Sequence, residues 1–208
     1  MISPRGGSPI GSSSQSPRLV LASESPRRLA LLAQIGIVPD AIVPPHIDES
    51  IVKDELPRAH ALRLALAKLR CVVLSQNGGS LVLAADTVVA CGRRILPKAT
   101  SADDVRRCLE LLSGRRHQVF TAVAVGRGGG RTFHRTVMTR VAFDRISPES
   151  IGRYVACGEG LGKAGGYAIQ GRAEAFVRSL NGSYSNVVGL PLSETAKLLV
   201  GCGYRISC

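Results

Sequence analysis

The sequence predicts an α/β protein with a mixed sheet and helices packed outside it. Short apolar runs bounded by turn residues alternate with helical patterns in the first half of the chain, and strand patterns dominate part of the second half. The 208 residues are enough for one large domain or for two small lobes that share a cleft. No run approaches the roughly 18 apolar residues that a membrane helix needs.

The first strand is predicted at 18–22, where an apolar run precedes a helix start. Ser25 suits the N-cap of that helix, Pro26 its first position, and Gly36 the position just beyond its end. The other strands are predicted at 38–45, 81–90, 119–125, 132–143 and 175–180. The segment 92–98 is predicted as a hairpin return, and 181–186 as a polar turn.

The second helix is predicted at 56–69. Its buried face should carry Ala59, Leu62, Leu66 and Leu69. Lys68 lies near the end of the helix and off that face, where a lysine usually does no more than interact favourably with the helix dipole. The remaining helices are predicted from a capping box at 101–104 to Gly114, at 148–156, and at 191–200.

The central strand carries an acidic residue. The apolar run Leu81–Ala85 is followed by Val88-Val89-Ala90 and suits a strand buried on both faces, which one acid, Asp86, interrupts. A buried carboxylate must be hydrogen-bonded, paired with a cation or bound to a metal, and ligands bind near strand ends in open α/β sheets. Asp86 is therefore either a capping or turn residue or part of a ligand site.

Other polar residues accumulate at separate places. The turn after the first strand offers Ser23, Arg27 and Arg28 where a helix start already favours an anion, although an ordinary cap with solvated arginines is the alternative. The loop acids 48–49 could ligate Mg²⁺ or could simply be solvated. A glycine-rich loop (158–171) lacks the spacing of a P-loop and presents two polar residues able to face a ligand, Lys163 and Gln170.

Composition restricts the classes of partner. The formal net charge is +12, with 22 Arg and 5 Lys, but the arginine pairs are spread out and lack interleaved aromatic residues, so a nucleic-acid surface is not indicated. The six cysteines include no C-x-x-C pair, which predicts reduced thiols in a cytoplasmic protein. Residues 1–17 are rich in Ser, Gly and Pro and predict a disordered extension ahead of a single domain, 18–208.

Five blocks of this sequence, in order, resemble the Maf family of nucleotide pyrophosphatases. They extend over nearly the whole chain from Arg18 to Val200, and five ordered blocks are far more specific than any single motif. The blocks are Leu21-Ala-Ser-Glu-Ser-Pro-Arg-Arg28, Ala85-Asp-Thr-Val-Val89, Leu112-Ser-Gly-Arg-Arg-His117 with Val119 and Thr121, Gly165-Gly-Tyr-Ala-Ile-Gln-Gly171 and Gly182-Ser-Tyr-Ser-Asn-Val-Val-Gly-Leu-Pro191.

The resemblance implies a Maf/Ham1-like (ITPase-like) fold, a twisted mixed sheet flanked by helices with two lobes around a central cleft. It also implies a cytoplasmic homodimer that uses a divalent metal cation, Mg²⁺ or Mn²⁺. The implied reaction cleaves a nucleoside triphosphate between the α and β phosphates. The form of the loop around Lys163 and Gln170 resembles the branch that hydrolyses dTTP and UTP, in a housecleaning role that extends to modified pyrimidine triphosphates.

The resemblance also assigns roles to residues. Asp86 matches the proton acceptor, and Asp86 and Glu49 match the metal-binding acids. Arg27, Lys68 and Lys98 match phosphate-facing cations, with Ser23, Arg28 and Lys163 beside them. Arg27, Thr87 and Gln170 match positions tied to the choice of substrate, and the glutamine amide suits the donor-plus-acceptor edge of uracil or thymine.

Two departures from the family pattern concern the cleft. The family usually has Lys-Pro where this chain has Pro97-Lys98, and it usually has Asp where this chain has Gly162. Two alternatives to the dTTP/UTP activity remain open at this point. One is a non-catalytic protein that regulates division by binding, since the family is named for an effect on septum formation, and the other is a 7-methyl-GTP pyrophosphatase.

Overall fold

The computed structural model describes residues 16–75 and 79–206. The strands are β1 (Leu19–Ala22), β2 (Ala41–Ile42), β3 (Leu81–Cys91), β4 (Arg94–Leu96), β5 (Arg116–Gly126), β6 (Phe133–Phe143) and β7 (Val177–Asn181). The helices are α1 (Pro26–Gln34), α2 (Pro57–Ser75), α3 (Ala102–Leu112), α4 (Pro148–Cys157), α5 (Tyr184–Val188) and α6 (Leu192–Gly201), with a short 3-10 helix at Arg172–Phe176. Most of the predicted extension 1–17, and the turn residues 77–78, lie outside the described residues.

The strands form one mixed sheet, as predicted. Its order is β2-β1-β3-β5-β6-β7, with β4 also paired to β3. The pairs β1–β2 and β1–β3 are parallel and the remaining pairs are antiparallel. Within these ranges no helix has both the length and the hydropathy to cross a membrane, and the five cysteines up to Cys202 are free thiols.

The central strand β3 is buried on both faces because its apolar side chains alternate between two cores. Leu81, Leu83 and Ala85 pack with leucines of α1 and α6, whereas Val82 and Ala84 pack against α2. A third core lies between the far end of the sheet and the helices α3 and α4.

The alternative in which Asp86 is a capping or turn residue after the strand is wrong. β3 continues to Cys91, because Val88, Val89 and Ala90 are apolar and pair with β5. On the opposite edge of β3, however, pairing with β1 stops at Ala84 and pairing with β4 begins at Val89. Between these two points no described strand covers the edge, and this gap in the sheet contains Asp86.

Two other element predictions need correction. The strand expected at 38–45 is reduced to Ala41–Ile42, because the prolines that flank it donate no ladder hydrogen bond. The polar turn expected at 181–186 contains the start of α5, where the Ser183 hydroxyl caps the helix by accepting from the Asn186 amide at 3.2 Å.

Candidate active site

A cleft of about 300 Å³ opens at the gap in the sheet. Its walls come from the β1–α1 turn, the loop before α2, α2 itself, the β4–α3 connection, the glycine-rich loop and the end of α5. The structure brings all the candidate residues to this one cleft, and their individual roles stay predictions. They are Ser23, Arg27, Arg28, Glu49, Lys68, Asp86, Thr87, Lys98, Lys163 and Gln170.

A chain of alternating charges crosses the cleft. The Lys68 ammonium lies 2.6 Å from Asp86 Oδ1 and 2.6 Å from Glu49 Oε1. The second oxygen of Glu49 lies 2.6 Å from the Lys98 ammonium. Asp86 and Lys68 are only 4% and 5% exposed, whereas Lys98 is exposed. The inner half of this chain is therefore shielded from water, and the outer half is solvated.

The prediction that Lys68 lies off the buried face of its helix is wrong. The buried stripe of α2 runs through His60, Ala61, Leu64 and Lys68, while Ala59 is exposed. Leucine and alanine occur all around this helix, so their spacing alone allows two stripes. A lysine can occupy the buried stripe because two carboxylates neutralise its charge.

The charge on Glu49 is held by the lysines on both sides of it. Burial opposes its ionisation and is the largest single influence on it. The hydrogen bonds and positive charges of Lys68 and Lys98 together outweigh burial and lower the pKa of Glu49 to about 2. Glu49 is therefore an anion throughout the physiological pH range.

Arg28 is used inside the protein rather than presented to solvent. It is 8% exposed. Its guanidinium donates from Nη1 to Ser23 Oγ at 2.9 Å and from Nε to the Gly189 carbonyl at 2.9 Å, and Nη2 lies 3.4 Å from Thr87 Oγ1. Burial lowers the pKa of Arg28, and the charge of Asp86 partly opposes this effect. Arg28 thus ties the β1–α1 turn to α5 and to the floor of the cleft.

Two cations at the cleft have no acidic partner within hydrogen-bond or ion-pair distance among the described residues. The Arg27 guanidinium makes no hydrogen bond with a described side chain or carbonyl, and burial lowers its pKa. The Lys163 ammonium donates to the Leu161 carbonyl at 3.0 Å and to no other described residue. Burial and then the charge of Arg27 lower the pKa of Lys163, although Glu159 acts in the opposite sense. Two like charges that affect each other across a cleft favour an anion between them.

Lys98 is held in place by the glycine-rich loop. It forms an isolated antiparallel bridge with Ala164, and the neighbouring Ala99 amide donates to the Lys163 carbonyl at 3.0 Å. The Gly162 amide donates back to the Ala99 carbonyl at 2.8 Å, and Gly162 has a φ of +66°. The Pro97-Lys98 order therefore leaves the lysine at the cleft, where it pairs with Glu49.

A buried polar network beneath the cleft was not predicted from the sequence. Thr87 Oγ1 lies 3.0 Å from Thr121 Oγ1, and the Thr121 hydroxyl donates to the Asn186 carbonyl at 2.9 Å. Thr121 and Asn186 occur in two of the family-like blocks, which was the one available signal. Their contact depends on the register of β3 with β5 and on where α5 packs, which a sequence pattern does not contain.

Asp86 and Glu49 are the carboxylates suited to a metal at the cleft. No group of three or more His, Cys, Asp or Glu side chains in the described ranges could hold a metal ion alone. Mg²⁺ is often bound by only one or two carboxylates together with substrate phosphates. The donor set therefore fits a cation that arrives with a phosphate-bearing ligand.

Comparison with known proteins agrees with the sequence blocks. The family model described as Maf-like protein matches residues 18–202. The dTTP/UTP pyrophosphatase of Caulobacter vibrioides is 58% identical over 189 residues, which cover 91% of this chain and 97% of that protein. The dTTP/UTP pyrophosphatase of Rhodospirillum rubrum is 59% identical over 187 residues, which cover 90% of this chain and 89% of that protein.

Among solved structures, a HAM1 protein from Coxiella burnetii is 17% identical, with a TM-score of 0.42 over 62% of this chain and 73% of that one. The family model and the curated relatives both extend over nearly all of the sequence that forms the sheet, the helices and the cleft. The chain therefore belongs to the Maf-like protein family.

Proposed function

We propose that this protein is a nucleoside triphosphate pyrophosphatase that hydrolyses dTTP and UTP to the monophosphate and pyrophosphate. The observation that carries the proposal is a buried carboxylate–lysine pair in the same cleft as two cations that lack an acidic partner in the described chain. The names of the relatives, dTTP/UTP pyrophosphatase, support the substrate class.

Asp86 acts as the general base. It accepts a proton from the water that attacks the α-phosphorus, while the bond from that phosphorus to the bridging oxygen breaks and pyrophosphate leaves. The Lys68 ammonium donates to Asp86 Oδ1 at 2.6 Å and holds the carboxylate in position. Burial of this pair keeps bulk water from screening it.

Arg27 and Lys163 offset the negative charge of the phosphates, because neither is neutralised by a described acid. Lys98 is 55% exposed and pairs with a Glu49 side chain that is 36% exposed, so it can exchange this partner for a phosphate oxygen at little cost. Lys68 is less suited to contact phosphate directly, because two carboxylates already hold it.

Asp86 and Glu49 would hold Mg²⁺ or Mn²⁺ together with the triphosphate. When bound, the cation neutralises charge on the phosphate oxygens and makes the phosphorus more electrophilic. Lys68 links these two carboxylates in the present structure. The lysine and the metal are thus two positive partners for the same pair of acids.

Gln170 and Thr87 are the residues proposed to choose the base. Gln170 is exposed at the cleft and makes no hydrogen bond with the described residues, so both ends of its amide are available to a ligand. An amide offers one acceptor and two donors, which matches the donor-plus-acceptor edge of uracil and thymine.

A substrate panel tests the proposal. The protein is incubated with dTTP, UTP, CTP, 7-methyl-GTP and modified pyrimidine triphosphates in the presence of Mg²⁺ or Mn²⁺, and released pyrophosphate is measured. We expect dTTP and UTP to be hydrolysed preferentially. Preference for 7-methyl-GTP would replace the proposed substrate, and release from no nucleotide together with salt-sensitive DNA binding would support a non-catalytic binding protein.

Substitution of Asp86, the proposed general base, gives the second measurement. Asp86→Asn keeps the shape of the side chain and removes its proton acceptor, so turnover should fall by at least about a hundredfold. Asp103→Asn, at an exposed acid in the first turn of α3, is the matched control and should leave turnover unchanged. Near-normal activity of Asp86→Asn would exclude Asp86 as the general base.

The homodimer, the cytoplasmic location and the link to septum formation stay predictions.

A further inference from the structure

A chain of buried hydrogen bonds runs from the floor of the cleft into α5. Thr87 Oγ1 contacts Thr121 Oγ1 at 3.0 Å, and the Thr121 hydroxyl donates to the Asn186 carbonyl at 2.9 Å. Thr121 and Asn186 are both 0% exposed. The Asn186 side chain donates to the Val119 carbonyl at 3.1 Å and to Thr139 Oγ1 at 3.0 Å, so this carbonyl is fixed in position.

The direction of each hydrogen bond in this chain follows from the number of protons. A carbonyl oxygen only accepts, so the single hydroxyl proton of Thr121 points at Asn186. Thr121 Oγ1 then has only lone pairs for its neighbour. Two oxygens 3.0 Å apart need a proton between them, and that proton must come from Thr87.

A competing acceptor for the Thr87 proton is weaker. The Gly189 carbonyl lies 3.4 Å from Thr87 Oγ1 and already accepts the Nε–H of Arg28 at 2.9 Å. The approach of Arg28 Nη2 to Thr87 Oγ1, at 3.4 Å, also places a donor against this oxygen. Thr87 therefore directs its proton into the core and presents lone pairs to the cleft that it lines.

We infer that Thr121 is a specificity-determining positioning residue, which fixes Thr87 as a hydrogen-bond acceptor toward the bound base. The inference rests on the proposed function and identifies the group that is read. Uracil and thymine carry an imide N–H at the ring position where cytosine has an unprotonated nitrogen. An acceptor at Thr87 forms a hydrogen bond with the imide N–H and repels the unprotonated nitrogen of cytosine. The site therefore selects imide-bearing pyrimidines without any direct contact from Thr121.

Removal of the Thr121 hydroxyl tests this arrangement. In Thr121→Val the Thr87 hydroxyl loses its buried acceptor and is free to turn, so it can donate to cytosine. The ratio of kcat/KM for UTP to that for CTP should fall by about tenfold, the effect of one net hydrogen bond. Thr121→Ser keeps the hydroxyl and should therefore keep the wild-type ratio.

A matched control separates this effect from lost stability. Thr195 is also 0% exposed, and its hydroxyl donates to the Pro191 carbonyl at 2.7 Å at the start of α6, outside the lining of the cleft. Thr195→Val should leave the UTP/CTP ratio unchanged. Thr87→Val gives a second test. It should lower the UTP/CTP ratio by itself, and adding Thr121→Val to it should not lower the ratio further.

The outcomes distinguish the inference from the proposed function. A wild-type ratio in Thr121→Val, equal losses on UTP and CTP, or failure of Thr121→Ser to keep the wild-type ratio would overturn the inference while leaving a pyrophosphatase. If Thr121→Val does not fold, an unchanged ratio in Thr87→Val overturns it. If the wild-type protein releases pyrophosphate from no nucleotide, the proposed function fails and the inference fails with it.

Discussion

Replacement of Lys68 by methionine should expose how strongly the buried ion pair contributes to stability. Methionine keeps the length and packing of the lysine stem but leaves the Asp86 carboxylate, 4% exposed, without its cation at 2.6 Å. Loss of one partner from a buried pair costs about 3–5 kcal/mol, because the remaining charge is uncompensated. That loss is a large part of the roughly 5–15 kcal/mol by which a domain of this kind is stable.

Lys98→Met is the matched control for Lys68→Met. Both lysines lie 2.6 Å from an oxygen of Glu49, and they differ in burial, since the Lys98 side chain is 55% exposed and the Lys68 side chain 7%. A solvated pair of this kind contributes about 0–1 kcal/mol. The two substitutions should therefore differ by at least about 2 kcal/mol.

Urea unfolding at 25 °C, followed by far-ultraviolet circular dichroism because the chain has no tryptophan, measures both variants. A double-mutant cycle with Asp86→Asn completes the test, since Lys68→Met should cost clearly less when position 86 carries no charge. Equal costs for Lys68→Met and Lys98→Met, or an additive cycle, would refute the assignment of the buried pair as the stronger interaction.

Two further predictions concern residues behind the cleft. Burial lowers the pKa of His117 to about 4, while an unfolded histidine titrates near 6.5. The unfolded chain therefore binds more protons as pH falls below about 6.5, and this residue should remove about 2 kcal/mol of unfolding free energy between pH 7 and pH 5. His117→Gln places an uncharged amide where Nε2 hydrogen-bonds to Tyr167, so it should lose that part of the slope in urea titrations. An unchanged slope contradicts the prediction. Gly165→Ala forces φ of +69° on an alanine and places its Cβ 2.8 Å from Val89 Cγ1, so it should destabilise the protein by about 2–4 kcal/mol. Gly152→Ala in α4 is the control, because open space surrounds that position; it should be neutral or stabilise by up to about 1 kcal/mol. Similar thermal midpoints for the two variants would show that the loop tolerates a side chain at position 165.

The main elements of the sheet could be predicted because their signals are local. The apolar run at 81–90 is long enough to require a strand, and Gly36 and Gly114 mark helix ends with left-handed φ values of +70° and +69°. The mixed sheet, with helices on both faces, follows from the alternation of these elements and is confirmed.

The site was harder to predict because its contacts join distant segments. Resemblance to a family identified which residues meet, but not how they pair. That Lys68 belongs to the buried stripe of α2 follows from its contacts with Glu49 and Asp86, 19 and 18 positions away in the chain. The Thr87–Thr121 contact likewise depends on the pairing register of two long strands.

Asp86 lies on a strand that is firmly held along one edge, although the edge beside the cleft is open. The opposite edge of β3 is paired with β5 without interruption from Val82 to Ala90, so the backbone that carries Asp86 is braced along its whole length. The charged residues that face it across the gap come from α2, which carries Lys68, and from connecting segments such as the Glu49 loop and the glycine-rich loop. The position of the Asp86 backbone thus does not depend on the segments that supply the other charged residues, and substitutions in those segments should leave it in place.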